Sequence, residues 1–425
     1  MKYDTLVLGA GMVGVSCALH LQSRGRSVAL LDRRAPGLET SYGNAGIIQR
    51  EAIEPYPLPR GLGFLLSALG NQRIDVRYHA GAVLRLIGPL WSYFLNSGGS
   101  RYRSVSREYE TLIAHSLETH ADLMQAARAE SLVAGQGYLT LFRSASELRD
   151  CFRNADQRAR AGVQHVKLSG DDVAREEPGL EGRFAGAVRW TDPVAIRSPG
   201  DLVQAYARLF NERGGTVHLG DAMTLRRTDD GGWQVDTAQG PSLRADRVVV
   251  ALGPWTLELT RRFGYTVPLI PKRGYHRHYV PLPGRPLHST VIDGDHGFVV
   301  APMKDGLRLT TGAELAWPQA PRTPGQVAAA ERVARQAFPL GEPVEAEPWM
   351  GTRPCLPDMK PVFGPVPAVD RLWCAFGHGH QGFTLGPITG ELLAAMMTGE
   401  APRVAVEPFS PARFNQTGAL KTQRI

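Results

Sequence analysis

Apolar and polar positions at the amino terminus follow a pattern that predicts a strand, a helix and a second strand. Residues Tyr3 to Leu8 form a short apolar run, and apolar residues recur at helical spacing from Val13 to Leu21. Gly25 is a fitting helix end, and a second apolar strand covers Ser27 to Leu31. A strand, a helix and a strand joined by short turns are typical of a βαβ unit in a parallel sheet.

The pattern along the rest of the chain predicts two groups of elements. Predicted helices cover residues 106–130, 199–213, 324–338 and 388–397, and predicted strands cover residues 137–142, 217–219, 233–237, 243–252, 271–279, 297–302, 307–312 and 371–376. The apolar strand 243–252 suits a buried parallel sheet, whereas the strands between 271 and 312 have no helix between them and favour an antiparallel sheet. The predicted fold class is therefore α/β (α+β overall), with a Rossmann-like domain and a second, antiparallel-sheet domain.

A glycine motif of the form G-x-G-x-x-G joins the first strand to the first helix. Its residues are Gly9, Ala10, Gly11, Met12, Val13 and Gly14. The first glycine of such a turn permits the bend, the second lets the backbone approach a pyrophosphate, and the third lets the helix pack on the strand. Asp32 ends the second strand, where a carboxylate can bind ribose hydroxyls. The motif in this context predicts a dinucleotide site.

Length and composition fit an ordinary globular protein of two domains, with 425 residues, 43% apolar and 21% charged. The net charge of +7 is spread without a block of basic residues or a nucleic-acid motif, so we expect no nucleic-acid partner. Cys17, Cys151, Cys355 and Cys374 show no metal-ligand spacing, so we expect no metal site. Scattered cysteines suit a reducing cytosol.

Residues Leu58 to Leu95 form an unusually apolar stretch that contains Arg85 and Pro89. No run of this chain is long and apolar enough to predict a membrane span, and the glycine motif occupies the place of a secretory signal. One interpretation is helices packed against the core, and the other is a surface that touches a membrane or a quinone. We therefore expect a cytoplasmic protein, with peripheral contact with the inner face of the cell membrane as the alternative.

Three further segments carry a family resemblance. They are Glu39-Thr-Ser-Tyr-Gly-Asn-Ala-Gly46, Gly351-Thr-Arg-Pro354 with Pro357-Asp358, and Gly377-His-Gly-His380. Together with the glycine motif, they resemble the D-amino acid oxidase superfamily of FAD-dependent oxidoreductases, and most of all its bacterial D-amino acid dehydrogenases and D-hydroxyproline dehydrogenases. The sequence differs from many of these dehydrogenases at Gly43, where they have alanine, which favours a specialised substrate.

The resemblance implies FAD as the cofactor and a discontinuous FAD-binding domain. That domain comprises residues 1–60, 150–260 and 345–415, and a substrate domain comprises residues 61–149 and 261–344. A helix that begins after Pro387 would direct its positive end at the flavin. The residues expected to contact FAD are Gly9, Ala10, Gly11, Met12, Val13, Gly14, Asp32, Arg33, Ser41, Asn44, Ala45, Gly46, Ile47, Met223, Gly253, Trp255, Gly379, His380, Gln381, Gly382, Phe383 and Thr384.

Arg353 is the strongest candidate for substrate contact, because a guanidinium can grip an amino acid's carboxylate with two hydrogen bonds. The alternative for Arg353 is a surface or domain-bridging arginine. Tyr275, His276 and His378 are further candidates for the substrate pocket, although the first two equally suit ordinary sheet residues. Lys272 resembles a basic residue that some relatives place near the flavin to handle oxygen.

The expected activity is FAD-dependent oxidation of a D-amino or cyclic imino acid, of the D-proline, cis-4-hydroxy-D-proline or D-alanine type. A hydride leaves Cα for the flavin, an imine forms, and electrons pass to a quinone or another acceptor. No catalytic acid or base is assigned, since orientation and electrostatics supply most of the rate. The alternatives are a sarcosine- or glycine-oxidase-type amine oxidase and a non-catalytic FAD subunit of a larger dehydrogenase. The oligomeric state stays open.

Overall fold

The computed structural model describes residues 2–414, so residues 1 and 415 of the predicted FAD-binding domain lie outside it. The helices within this range are α1 (Met12–Gln22), α2 (Leu62–Leu69), α3 (Ala80–Arg85), α4 (Ile87–Asn96), α5 (Gly99–Ile113), α6 (Ser116–Ala126), α7 (Ala145–Ala159), α8 (Gly170–Glu176), α9 (Pro199–Glu212), α10 (Thr256–Thr260), α11 (Gly325–Ala334) and α12 (Gly382–Thr398).

The strands within the described residues form two sheets. They are β1 (Lys2–Leu8), β2 (Val28–Asp32), β3 (Ile47–Ile48), β4 (Val76–Tyr78), β5 (Val133–Phe142), β6 (His165–Ser169), β7 (Gly186–Ile196), β8 (Thr216–Leu219), β9 (Arg226–Arg227), β10 (Trp233–Val235), β11 (Leu243–Val250), β12 (Ile270–Pro281), β13 (Val291–Asp293), β14 (Phe298–Met303), β15 (Gly306–Thr310), β16 (Ala313–Leu315), β17 (Leu340–Pro343), β18 (Trp349–Cys355), β19 (Val362–Pro365) and β20 (Leu372–Phe376).

The first sheet has a parallel centre in the order β20-β11-β1-β2-β8, with β19 antiparallel at one edge. Apolar residues such as Leu6, Val7 and Val249 lie on both of its faces and are fully buried, as expected when helices cover a parallel sheet. Helices α1, α9 and α12 pack against it. The predicted Rossmann-like half of the fold is thus confirmed.

The second sheet is mixed and built around the long strand β12, which pairs antiparallel with β15, β16, β17 and β18. It also contains β6 and β7, which cover residues 165–196. The predicted boundaries put those residues in the FAD-binding domain. The division into domains stays a prediction, although this sheet draws on more of the middle of the chain than expected.

Helices α1 and α12 run side by side and start at the same end of the first sheet. A Cβ added at Gly386 would lie 2.5 Å from the Met12 side chain, and one added at Gly390 would lie 2.5 Å from the backbone of Ser16. The two glycines therefore allow close helix packing. Because contacts advance in step along both helices, the helices are parallel, and both amino termini point the same way.

Two predicted helices differ in the structure. The predicted helix 106–130 is divided into α5 and α6, with a turn at Ala114 and His115. The last helix begins at Gly382 rather than at Ile388, so the prediction of a helix start after Pro387 was wrong and that proline lies inside α12. Proline has no N–H to donate to the carbonyl four residues earlier, which usually breaks a helix.

A buried histidine compensates for the proline in α12. The Nε2–H of His120 donates to the Phe383 carbonyl at 2.9 Å, which is the acceptor that Pro387 leaves free. The other ring nitrogen, Nδ1, lies 3.1 Å from the Tyr206 hydroxyl. An unpaired buried carbonyl would destabilise the protein by about 1–3 kcal/mol, so His120 stabilises the start of α12.

We predict a pH-dependent contribution of His120 to stability. Burial lowers the pKa of His120 to about 4, from the ordinary histidine value of 6.5 that applies in the unfolded chain. Between these values the unfolded chain binds a proton that the folded protein does not, so the free energy of unfolding falls as pH falls through this window. In urea unfolding, His120→Gln should flatten this pH dependence by about 1.4 kcal/mol per pH unit. If the free energy of unfolding depended on pH in the same way in both proteins, His120 would not be the group that titrates.

Candidate active site

A cavity of about 910 Å³ lies between the two sheets and reaches the amino ends of α1 and α12. Its volume is near the upper end of ligand sites, which are about 300–1,000 Å³. The predicted site residues that line it are Gly9, Gly11, Met12, Val13, Asp32, Arg33, Ser41, Asn44, Ala45, Ile47, Met223, Gly253, Trp255, Tyr275, Arg353, His378, Gly379, His380, Gly382 and Phe383. Segments from both ends of the chain thus converge on one cavity.

The three glycines of the motif have different physical roles. A Cβ at Gly9 would lie 2.4 Å from the Ala251 carbonyl oxygen, and one at Gly14 would lie 1.8 Å from the Gly9 carbonyl oxygen. These two glycines serve the turn and the close packing of helix on strand. A Cβ at Gly11 would meet only the Ser41 hydroxyl, at 3.3 Å, and otherwise enters the cavity. The absence of a side chain at Gly11 therefore leaves room for a ligand, whereas at Gly9 and Gly14 it leaves room for the protein backbone.

The amino end of α1 is suited to an anion. No acidic residue lies in its first turn within the described structure, and the Met12 N–H donates to the Ser41 hydroxyl at 3.0 Å. Free N–H groups and the helix dipole make such an end a site for phosphate groups. The arrangement fits the pyrophosphate of a dinucleotide.

The part of the cavity next to the end of β2 is lined by Asp32, Arg33 and Trp255. The Asp32 carboxylate accepts the Ala10 N–H at 2.6 Å, which holds the glycine turn against β2. The Arg33 guanidinium lies over the Trp255 ring at 4.2 Å. A flat cation–aromatic pair beside a carboxylate suits the adenosine end of a dinucleotide.

The loop between β20 and α12 forms the opposite wall. Gly377 and Gly379 both have left-handed backbone angles, with φ of 79° and 57°, which side-chain-bearing residues rarely adopt. The Gly379 N–H donates to the Pro354 carbonyl at 3.0 Å. This bend directs the amino end of α12, at Gly382 and Phe383, toward the cavity. The positive helix end expected after Pro387 is thus present, but it lies six residues earlier.

One face of the second sheet provides a third wall. Alternation along β18 puts Trp349, Gly351 and Arg353 on the same face, and all three line the cavity. On the adjacent strand β12, Gly274 lies directly opposite Gly351, and Lys272 lies opposite Arg353. Two small residues are therefore paired at the centre of this wall.

Large side chains fold over these central glycines from both sides. A Cβ at Gly274 would lie 2.5 Å from Arg353 Nη2, and one at Gly351 would lie 2.1 Å from the Trp349 ring. A Cβ at Gly43 would lie 1.9 Å from the same ring. The guanidinium and the indole therefore lie over two paired glycines of the wall, and Trp349 explains why position 43 is glycine.

The Arg353 guanidinium has a charge that the described residues do not neutralise. Nη1 donates to the Gly312 carbonyl at 2.8 Å, and Nη2 donates to the Thr311 carbonyl at 3.3 Å. No carboxylate within residues 2–414 forms an ion pair with it, and burial lowers its pKa from the usual value. Arginine stays protonated in proteins, so this cation favours an anionic ligand.

The other substrate candidates have different surroundings. Tyr275 lines the cavity, but its hydroxyl donates to Glu314 at 2.8 Å. His276 does not line the cavity; it stacks behind Trp349 with ring centroids 4.8 Å apart. His378 lines it with Nε2 3.0 Å from the Thr389 hydroxyl, and burial lowers the pKa of His378 to about 3.

Some predicted residues lie outside the lining of this cavity. They are Ala10, Gly14, Gly46, Gln381, Thr384 and His276. Gln381 instead donates from Nε2 to Gln49 Oε1 at 2.5 Å, and Thr384 lies 3.4 Å from the Ile47 carbonyl. Lys272 lines a small neighbouring cavity, where its Nζ donates to the Tyr93 hydroxyl at 3.0 Å. The ligand contacts of all these residues stay predictions.

Five residues that line the main cavity were not assigned to the site from the sequence; they are Trp349, Gly274, Gly351, Tyr56 and Gln49. Alternation around Arg353 in a strand would have indicated Gly351 and Trp349. Gly274 depends on the register of two strands, and no sequence signal indicated Tyr56 or Gln49.

Comparison with known proteins decides the family. A family model described as FAD dependent oxidoreductase (DAO) matches residues 4–396. The chain belongs to the DAO family of FAD-dependent oxidoreductases. This confirms the predicted family and FAD as the cofactor, for which Gly11 and the amino ends of α1 and α12 leave suitable space.

The relatives of this FAD-dependent oxidoreductase cover nearly its whole length. It is 32% identical to a D-amino acid dehydrogenase of Methylobacterium nodulans, over 96% of this chain and 98% of the relative. It is 29% identical to a D-amino-acid oxidase of Bradyrhizobium diazoefficiens, over 96% and 98%. The glycine oxidase of Geobacillus kaustophilus has a similar fold, with TM-score 0.72, 22% identity and coverage of 97% and 99%.

Within residues 2–414, no helix combines the length and apolarity needed to cross a membrane. The same residues contain no group of three or more histidine, cysteine or acidic side chains arranged to hold a metal ion.

Proposed function

We propose that this protein oxidises a D-amino acid or a cyclic imino acid at Cα. FAD held at the amino ends of α1 and α12 would supply the hydride acceptor, and the product would be an imine. The observation that carries the proposal is the Arg353 guanidinium, which faces the FAD cavity without a carboxylate partner among the described residues. The names of the D-amino acid dehydrogenase and D-amino-acid oxidase relatives support the same class of substrate.

A carboxylate bound to Arg353 would fix the substrate in one orientation. Two parallel hydrogen bonds from a guanidinium set both the position and the plane of a carboxylate. Since Gly274 has no side chain, the guanidinium can lie flat over this wall, where it lines the cavity and can meet the substrate's carboxylate. Holding the substrate in this orientation can supply a large part of the rate enhancement.

No side chain of this wall needs to transfer a proton in this proposal. The substrate arrives with a neutral amine, whose lone pair assists departure of the hydride. The low pKa of His378 and its contact with Thr389 keep its imidazole neutral and fixed. Its role is then to shape the cavity without adding a positive charge to it.

Trp349 limits the substrate's side chain in this arrangement. Its indole covers both Gly43 and Gly351 and lines the same cavity as Arg353, so we propose compact substrates such as D-alanine, D-proline or cis-4-hydroxy-D-proline.

We predict that Trp349→Ala broadens this specificity. Removing the indole opens room for a large side chain, and one methylene in an apolar pocket already changes specificity about 10–200-fold. The ratio of kcat/KM for D-phenylalanine to that for D-alanine should therefore rise at least about tenfold. Steady-state kinetics with both substrates measures the ratio, and an unchanged ratio would show that Trp349 does not limit the side chain.

A substrate panel tests the proposed function. The holoenzyme is assayed with an artificial electron acceptor and D-proline, cis-4-hydroxy-D-proline, D-alanine, sarcosine and glycine, each with its L enantiomer where one exists. We expect the highest kcat/KM with one of the three D compounds. Preference for sarcosine or glycine would replace the proposal with an amine oxidase of that type, and turnover of none would favour a non-catalytic FAD subunit.

We further propose a quinone as the electron acceptor. The apolar segment around Leu58 adjoins Tyr56, which lines the FAD cavity, so an apolar acceptor bound at this segment would lie near this side of the site. Stopped-flow reoxidation of the reduced protein should be faster with a quinone analogue than with air. Faster reoxidation by air would identify an oxidase.

A further inference from the structure

A buried arginine of the second sheet is bonded to a loop that lines the FAD cavity. Arg308 lies on β15 and is 3% exposed. Its Nη1 donates to the backbone carbonyls of Tyr42 and Asn44, at 2.8 and 2.7 Å. These residues belong to a segment that we call the 41–46 loop, in which four residues line the cavity. One guanidinium therefore connects the second sheet to the wall of the cofactor site.

The 41–46 loop contains no helix or strand, so its shape depends on bonds to other segments. The Met12 N–H donates to the Ser41 hydroxyl at 3.0 Å, which fixes the start of the loop against α1. The Ile196 N–H donates to the Gly46 carbonyl at 2.6 Å, which fixes its end against β7. The carbonyls between these two ends are the ones that Arg308 binds.

The Arg308 guanidinium forms no direct ion pair with a carboxylate among the described residues. Burial lowers the pKa of Arg308 to about 10, so the group still keeps its proton at neutral pH. A buried charge destabilises a protein unless hydrogen bonds satisfy it. The two carbonyls of the 41–46 loop satisfy part of this charge. The cation and the observed loop conformation therefore stabilise each other.

A histidine and a glutamate complete the surroundings of Arg308. Its Nε donates at 2.9 Å to Nε2 of His278, which lies directly opposite on β12. Burial and the Arg308 charge lower the pKa of His278, so its ring is neutral. Because Nε2 accepts, the ring proton is on Nδ1, which donates to the Glu345 carboxylate. The second carboxylate oxygen accepts the His278 backbone N–H at 2.8 Å.

We propose that Arg308, oriented by His278 and Glu345, is a positioning residue that holds the 41–46 loop in the conformation that binds FAD. Each hydrogen bond of this chain has a fixed direction, from guanidinium to imidazole to carboxylate, so a change at Glu345 is transmitted to the loop. The proposal concerns retention of the cofactor and is independent of which substrate is oxidised.

Flavin release from the diluted full-length holoenzyme, followed by the fluorescence of free FAD, tests this proposal. Arg308→Met keeps an unbranched apolar side chain but removes the donors. It should release FAD at least about tenfold faster than the unmodified protein, because two charge-assisted hydrogen bonds to the loop are lost. Arg308→Lys keeps the charge and should release FAD at an intermediate rate.

The matched control for Arg308→Met is Arg285→Met. Arg285 also donates to a backbone carbonyl, that of Gly179 at 3.0 Å, and neither residue lines the FAD cavity. Loss of this bond removes a similar contact from a part of the protein that does not shape the cofactor site. Arg285→Met should therefore release FAD at the rate of the unmodified protein.

Glu345→Gln tests the chain at its other end. An amide can accept through its oxygen only, whereas the two oxygens of Glu345 accept from the ring and from the backbone of His278. One of these donors then faces an amide NH2, so the tautomer of the ring is no longer fixed, and FAD release should be about threefold faster. The control Glu342→Gln removes the same charge from an exposed position on β17 and should leave the rate unchanged.

The double variant Arg308→Met with Glu345→Gln distinguishes a chain of bonds from two separate structural roles. It should release FAD no faster than Arg308→Met alone, since Glu345 acts on the loop only through Arg308. Multiplied effects of the two substitutions would show that Glu345 acts separately and would overturn the proposed chain.

Two further results would overturn the proposal. The first is FAD release from Arg308→Met at the rate of the unmodified protein. The second is equally fast release from Arg285→Met, which would indicate a general loosening of the fold. If Arg308→Met does not fold, Glu345→Gln and Glu342→Gln decide the question, and equal release rates from these two variants would overturn the proposal.

Discussion

Arg353→Ala should raise KM for the amino acid substrate about 10- to 100-fold, because a charge-assisted hydrogen-bond pair contributes about 1.5–3 kcal/mol. The guanidinium faces the FAD cavity without an acidic partner among the described residues, so its charge is available to the substrate's carboxylate. A larger kcat loss than KM change would indicate that orientation, and not only affinity, depends on Arg353. Steady-state kinetics with D-alanine and D-proline measures both.

Two comparisons separate substrate contact from a structural role of Arg353. The first is the amide of the same substrate, which has no carboxylate and should lose little activity in the variant. The second is Arg277→Ala, since Arg277 also lies on the second sheet and donates to backbone carbonyls at 2.8 Å but does not line the cavity. Equal losses for acid and amide, or for both variants, would remove Arg353 from the substrate site.

Gly11→Val should weaken FAD binding without unfolding the protein. The backbone of Gly11, with φ −76° and ψ 179°, is open to any residue, so the substitution causes no backbone strain. Its side chain would enter the cavity at the amino end of α1, where we expect the pyrophosphate. FAD affinity should fall at least about tenfold, which corresponds to about 1.4 kcal/mol.

The matched control for Gly11→Val is Gly81→Val on α3. A Cβ at Gly81 meets nothing within 4 Å, and the residue is exposed and does not line the cavity. Flavin content is read from the absorbance of each purified protein, and thermal unfolding reports folding. Full flavin content in Gly11→Val would place the pyrophosphate elsewhere.

The amino-terminal half of the site could be predicted because its signals are local. The turn at Gly9, the helix start at Met12 and the carboxylate at Asp32 all lie within one βαβ unit, and the structure brings them to one cavity. Each role follows from conformational freedom or hydrogen bonding over a few residues. The family resemblance then added the carboxyl-terminal loop, which spacing alone did not link to the glycine motif.

The rest of the site depends on contacts between distant segments. Pro387 indicated a helix boundary, but the His120 side chain satisfies the carbonyl that the proline leaves free, so α12 begins earlier. The pairing of Gly274 with Gly351 follows from strand register, which local patterns do not specify. His276 was a pocket candidate and stacks behind Trp349 instead, since alternation alone does not reveal which side chain reaches furthest into the cavity.

Anaerobic titration of the purified protein tests the central claim most directly. The claim is that FAD lies between the glycine turn of α1 and the loop before α12, with the substrate's carboxylate on Arg353. We expect a flavin absorbance spectrum that bleaches on addition of a compact D-amino or cyclic imino acid and keeps its absorbance with the corresponding amide. A colourless protein that takes up no added FAD, or a bound flavin that no amino or imino acid bleaches, would contradict the account.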